Sequence, residues 1–169
     1  MTAKVTWNPE KFQARLVAAA NAGLTAAAAH IAGEAKRNMG SEGGGVLGRG
    51  GRVIRNFQGR KIGQRPKLTR TGRQRYVSAP PGAFPGVRLG NLRRSLTHVT
   101  PEELGTPLRA AYGTNVDYGR HLEFGTRKMA ARPWAMRSAL QAQGAAHKIF
   151  AAEVRAVIAE GVAEQRGTP

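Results

Sequence analysis

Apolar residues recur at helical spacing over two long stretches of the chain, and at strand spacing only briefly between them. Phe12, Leu16, Ala20, Leu24, Ala28, Ile31 and Ala35 fall on one side of a single amphipathic helix. Asn8, Pro9 and Glu10 read as its N-cap, first helical residue and first-turn acid. Lys36, Arg37 and Asn38 mark its end, where bases complement the carbonyl terminus and Gly40 supplies the residue after the cap. At about 1.5 Å per residue, a helix of roughly thirty residues would reach about 45 Å. Its many alanines give a thin face suited to close packing. Near the other end of the chain, Met136, Leu140, Ile149, Phe150, Val154, Val157 and Ile158 predict a second long helix.

Between the helices the pattern changes twice. Residues 40–79 hold nine glycines from Gly40 to Gly63 and ten Lys or Arg against the single acid Glu42, which reads as a flexible or partner-ordered loop. Val53, Ile54, Phe57 and Ile62 would allow a short hairpin inside it. After the Pro/Gly run Ser78 to Gly86, Leu92 to Thr100 and Leu108 to Val116 read as two strands joined by TPEELGTP. The expected class is α+β: long N-terminal helix, basic Gly/Arg-rich loop, small antiparallel sheet, short helix and corner, long C-terminal helix. At 169 residues, residues 1–169 are expected to form one domain, with 40–79 as an inserted loop.

The corner is the densest segment. In YGRHLEFGTRKMAARPW, Tyr118 and Leu122 share one side of a helical turn, and Gly125 sits where a left-handed residue would end it. Pro133 suits the first position of the next helix, with Arg132 pushed toward extended backbone. Glu123 is expected to pair with Arg127 or Arg132 across the corner.

Charge then alters the picture. Lys and Arg number 27 against 10 acids, a formal net charge of +17, which implies a polyanionic or acidic partner. Arg49, Arg52, Arg55, Arg60, Lys61, Arg65, Lys67, Arg70, Arg73 and Arg75 are spread irregularly among glycines, a pattern suited to phosphate contact without base readout. The same segment suits docking on an acidic protein surface, and the two readings stay open.

Catalytic material is scarce. The only Asp is Asp117, and cysteine is absent, which removes thiolate nucleophiles and Cys-ligated zinc. Gly43, Gly45 and Gly48 match a dinucleotide-binding spacing, but a helix precedes them, none follows, and no acid lies at the required distance. Ser95, His98, Asp117 and His121 could serve hydrolysis only if they met in space. No catalytic residue, cofactor or metal is therefore assigned. No apolar run reads as approaching the roughly 20 residues of a membrane span, and MTAKVTWNPEKFQARL is charged where a signal peptide would be apolar, so no membrane contact is expected.

The C-terminal two thirds resembles the tail-component family of long-tailed bacteriophages typified by Hong Kong 97. The residues that carry the likeness are Gly90, Leu92, Arg93 and Ser95, then Tyr118, then Glu123, Phe124, Gly125 and Thr126, then Ala131, Arg132, Pro133 and Trp134. The resemblance implies a virion protein without enzymatic activity, made in the host cytoplasm and assembling as a homo-oligomeric ring, a hexamer or dodecamer. Such a ring would complete the neck or tail end between portal and tail tube, touching neighbouring connector and tail proteins and packaged DNA. The alternative is a nucleic-acid-binding protein that uses the Arg/Gly-rich loop.

Overall fold

The first helix begins where Asn8 predicts, because the Asn8 side chain accepts the Lys11 backbone N–H at 3.0 Å. The computed structural model describes residues 8–41, 45–47, 53–55, 76–77, 79–87 and 89–166. Helix α1 spans Pro9–Asn38 and closes with Gly40 at φ 78°, while Ser41 N–H returns to the Asn38 carbonyl at 3.0 Å. Strands β1 (Gly45–Leu47), β2 (Val53–Arg55) and β3 (Tyr76–Val77) form a three-stranded antiparallel sheet in the order β2-β1-β3. Antiparallel pairing therefore does occur in the segment read as loop, but Val53 and Ile54 pair back onto Gly45–Leu47, with a register shift between Val46 and Leu47, while Phe57 and Ile62 lie outside the described residues. Of the basic residues singled out there, Arg55 ends β2, and Arg49, Arg52, Arg60, Lys61, Arg65, Lys67, Arg70, Arg73 and Arg75 lie outside the described residues.

Helix α2 (Asn91–Ser95), strand β4 (Thr97–Val99) and strand β5 (Ala111–Gly113) follow, the strands pairing as a two-stranded antiparallel sheet. The expected strand from Leu92 is corrected in its first half. Leu92 and Leu96 are four apart and both buried, so one helical turn hides both, whereas a strand that pointed one inward would also have pointed Arg94 there. Gly90, at φ 79°, turns the chain into that helix, and its carbonyl accepts the Arg94 N–H at 2.9 Å. The expected strand from Leu108 is also shorter, because Leu108 itself has φ 59° and gives its N–H to the Asn21 side chain at 2.9 Å. In the connection, Thr100 and Glu103 exchange bonds, each side chain accepting the other's backbone N–H at 3.2 and 2.8 Å.

Helix α3 (Tyr118–Phe124) and helix α4 (Ala135–Arg166) complete the α+β fold. The described chain divides into two compact units, each assembled from separated stretches: 1–31, 98–112 and 142–169 in one, 32–97 and 113–141 in the other. In the first unit α1 and α4 meet through small residues. Gly23 lies against Phe150, and Gly161 lies under the Phe12 ring. Arg15 on α1 donates to Glu164 at 2.8 Å and also to Glu160, and the bond to Glu164 is the largest reason its pKa is raised above the usual arginine value. In the second unit the core is Ala32, Ala35, Met39, Ala79, Phe84, Leu92, Leu96 and Trp134. Phe84, only 2% exposed, is the Pro/Gly run's anchor in that core, and the Arg137 guanidinium sits 4.3 Å over its ring.

One expectation about membranes needs correction. An 18-residue window of α1 has a mean hydropathy of 1.4, so by length and composition this helix could cross a membrane, although 28% of the window is buried. Alanine hid the signal. Leu16 to Gly33 carries no Asp, Glu, Lys or Arg, and its apolarity comes from many small contributions instead of a few large side chains.

Candidate functional site

The corner from Tyr118 to Trp134 is built around one carboxylate. Glu123, in the last turn of α3, accepts the backbone N–H groups of Trp134 at 2.7 Å, Ala135 at 2.8 Å and Met136 at 3.0 Å. These are donors that the first turn of α4 leaves without helical partners, and they present the positive end of its dipole. The Trp134 carbonyl accepts the Ser138 N–H at 3.3 Å, which makes Trp134 the cap residue. Pro133 thus stands one position before the cap, not at the first helical position. It fits there because Glu123 takes the donors that follow. The expected ion pair of Glu123 is replaced by this capping, and Arg132 instead donates to the carbonyls of Ala79 at 2.8 Å and Ala130 at 3.4 Å.

Gly125 ends α3 in an unexpected conformation. Its φ is 75° but its ψ is −178°, so it is not left-handed helical; it occupies a region that essentially only glycine enters. A Cβ there would lie 2.8 Å from both the Ala131 nitrogen and the Met129 oxygen. Beyond it Thr126 and Met129 exchange two backbone bonds of 2.8 and 3.1 Å, leaving Arg127 and Lys128 at the tip of a tight turn. The chain rejoins α3 where the Arg132 N–H meets the Leu122 carbonyl at 2.7 Å. The buried Trp134 donates its indole N–H to the Gly119 carbonyl at 3.0 Å, and a Cβ on Gly119 would press on Thr114 at 2.6 Å. Docking of the Pro/Gly run completes the corner: Gly82 N–H bonds the Ala131 carbonyl at 2.9 Å, and Arg137 donates to the Gly82 carbonyl at 2.8 Å.

The other resemblance residues gather beside it. Gly90, Leu92, Arg93 and Tyr118 line one groove of about 260 Å³ together with Met39, Leu89 and Leu122. Ser95 donates to the Leu92 carbonyl at 2.9 Å and bonds the Thr114 hydroxyl at 2.5 Å, a structural use of both hydroxyls. Among the described residues no group of three His, Asp or Glu could hold a metal ion.

Met136 and Leu140, part of the spacing that predicts the second long helix, are 69% and 64% exposed, and Phe124 is 77% exposed. Phe124 and Met136 line one broad recess of about 730 Å³, and Leu140 lies one turn beyond Met136. The small residues Ala142 and Ala146 are buried instead. Nothing in apolar spacing separates a stripe that faces the core from one that faces outward. No protein-family model, curated protein or solved structure matches this chain.

Proposed function

We propose that this chain is a structural subunit of a phage head-to-tail connection, without enzymatic activity, that assembles with copies of itself as a ring at the neck or tail end. The observation that carries this reading is the exposed apolar face of Phe124, Met136 and Leu140, presented by a corner in which Glu123 ties α3 to α4. Contiguous exposed apolar surface on a rigid element marks an interaction site, and a contact between two different surfaces of identical subunits closes a ring when the rotation allows. The resemblance residues support it because they are the ones that build the corner and the adjoining groove. Electron microscopy of the purified protein and of virions tests the proposal: rings, and density at the head-tail junction, are expected. A persistently monomeric protein absent from particles would overturn it.

A second reading, favoured by the formal charge of +17, makes the basic segment Arg49 to Arg75 a nucleic-acid contact. Binding that weakens steeply with added salt is its signature, and binding indifferent to salt would remove it.

A further inference from the structure

An open groove of about 940 Å³ runs along α1 beside Thr100 and Pro101 of the connection between β4 and β5. Ala14, Val17, Ala18 and Ala22 supply its apolar lining, Glu10 and Glu102 its charge, and no Lys or Arg lines it. In a chain of 27 bases and 10 acids, that lining is a local reversal of charge. Ala14 and Asn21 of the groove stand two residues from Phe12 and Gly23, about 200° round the helix. The groove therefore occupies the face of α1 opposite the one packed on α4. Ala14, Ala18 and Ala22 are exposed there, and 28% of the 18-residue apolar window of α1 is buried, so much of this helix's apolar surface has no cover within its own chain.

The corner carries the opposite combination. Phe124, Met136 and Leu140 project large apolar side chains, and Arg120 lines the recess of Phe124 and Met136 from one helical turn before Phe124. Residues 113–141 hold Arg120, Arg127, Lys128, Arg132 and Arg137 against Asp117 and Glu123. Of these two acids, Glu123 is already committed to the first turn of α4.

We infer that the α1 groove of one copy receives the Phe124 corner of the next. This contact rests on the ring reading and supplies its receiving surface. Large apolar side chains meet small ones, and a basic surface meets Glu10 and Glu102, so shape and charge agree. Copies that each carry +17 repel one another in general, and an acid-lined groove is where a basic copy can approach. The two surfaces differ, so the contact is heterologous and leaves each copy one of each for its other neighbour.

Two charge-reversed variants of the full chain test the contact by light scattering after size-exclusion chromatography. One carries Glu10→Lys and Glu102→Lys in the groove; the other carries Arg120→Glu and His121→Glu on the corner. All four side chains are exposed, so both variants should melt near the wild type. Each alone should lose assembly, and an equimolar mixture should recover the wild-type mass, because every groove then faces a corner of opposite charge. Mixing would not rescue a folding defect. If either variant melts early, cross-linking decides. The chain has no cysteine, so Ala18→Cys and Phe124→Cys mixed under a mild oxidant should form the mixed disulfide in excess over either homodimer. Assembly of both charge variants alone, a mixture of folded variants that stays monomeric, or a lack of mixed disulfide would overturn the groove contact. Wild-type rings seen alongside any of these results would leave the ring reading standing without it, whereas a wild type that never assembles would remove both.

Discussion

Glu123 does the work of a cap residue from eleven positions upstream. Its carboxylate satisfies three N–H groups, so Glu123→Ala should cost about 2 kcal/mol, between the usual value of a helix cap and that of hydrogen bonds to a charged group. In a chain of this size that lowers the melting midpoint by roughly 5 °C, and Glu123→Gln, which keeps one accepting oxygen, should lose about half as much. Calorimetric melting of both variants checks the order, and equal losses would show that the charge, not the acceptor, matters. Gly125→Ala combines an inaccessible backbone region with two backbone overlaps at 2.8 Å, and should cost about 3 kcal/mol or prevent assembly. A wild-type melting curve for that variant would refute the strained conformation. The sequence displayed the need for glycine at 125 and the extended approach to Pro133. Glu123's true partners were hidden, because an acid near two arginines suggests an ion pair, and nothing local says that a helix start folds back onto it.

Among the elements, both long helices were legible because their apolar spacing persists over many turns, and α1 also begins and ends on the expected residues. The one-turn α2 was not. Five residues hold too little periodicity to distinguish a buried turn from a strand, and the decision came from burying Leu92 and Leu96 together. The α1 and α4 contact also explains why glycines on the two helices should respond oppositely to substitution. A Cβ on Gly144 meets nothing within 4 Å, so Gly144→Ala should stabilise the protein by roughly 0.5 to 1 kcal/mol through helix propensity alone. At Gly23 the Phe150 backbone already lies 3.2 Å from where a Cβ would stand, so Gly23→Val should destabilise by about 1 to 3 kcal/mol through overpacking. Denaturant midpoints for the pair test this contrast, which disappears if the helices can part freely at Gly23.

For the whole molecule, the balance between apolar face and charge decides how copies would meet. Phe124→Glu places a charge on a residue that is 77% exposed, so it should leave the melting curve nearly unchanged while dissociating any ring. Light scattering after size-exclusion chromatography gives the readout, and rings unaffected by the variant would move the contact elsewhere. Composition raised the expectation of a polyanionic or acidic partner, but it could not show which cations, such as Arg15 and Arg37, are held beside carboxylates. The corner has a further consequence for how this chain could vary or be engineered. Because Arg132 meets Leu122 and Trp134 meets Glu123, the stretch between them is a side trip whose two ends are already fastened together. Lengthening such a closed excursion costs only about 0.6 kcal/mol per doubling. The Arg127–Lys128 tip is therefore the place to insert an epitope or a fluorophore-accepting peptide, giving a visible handle on the subunit while both fastenings stay intact.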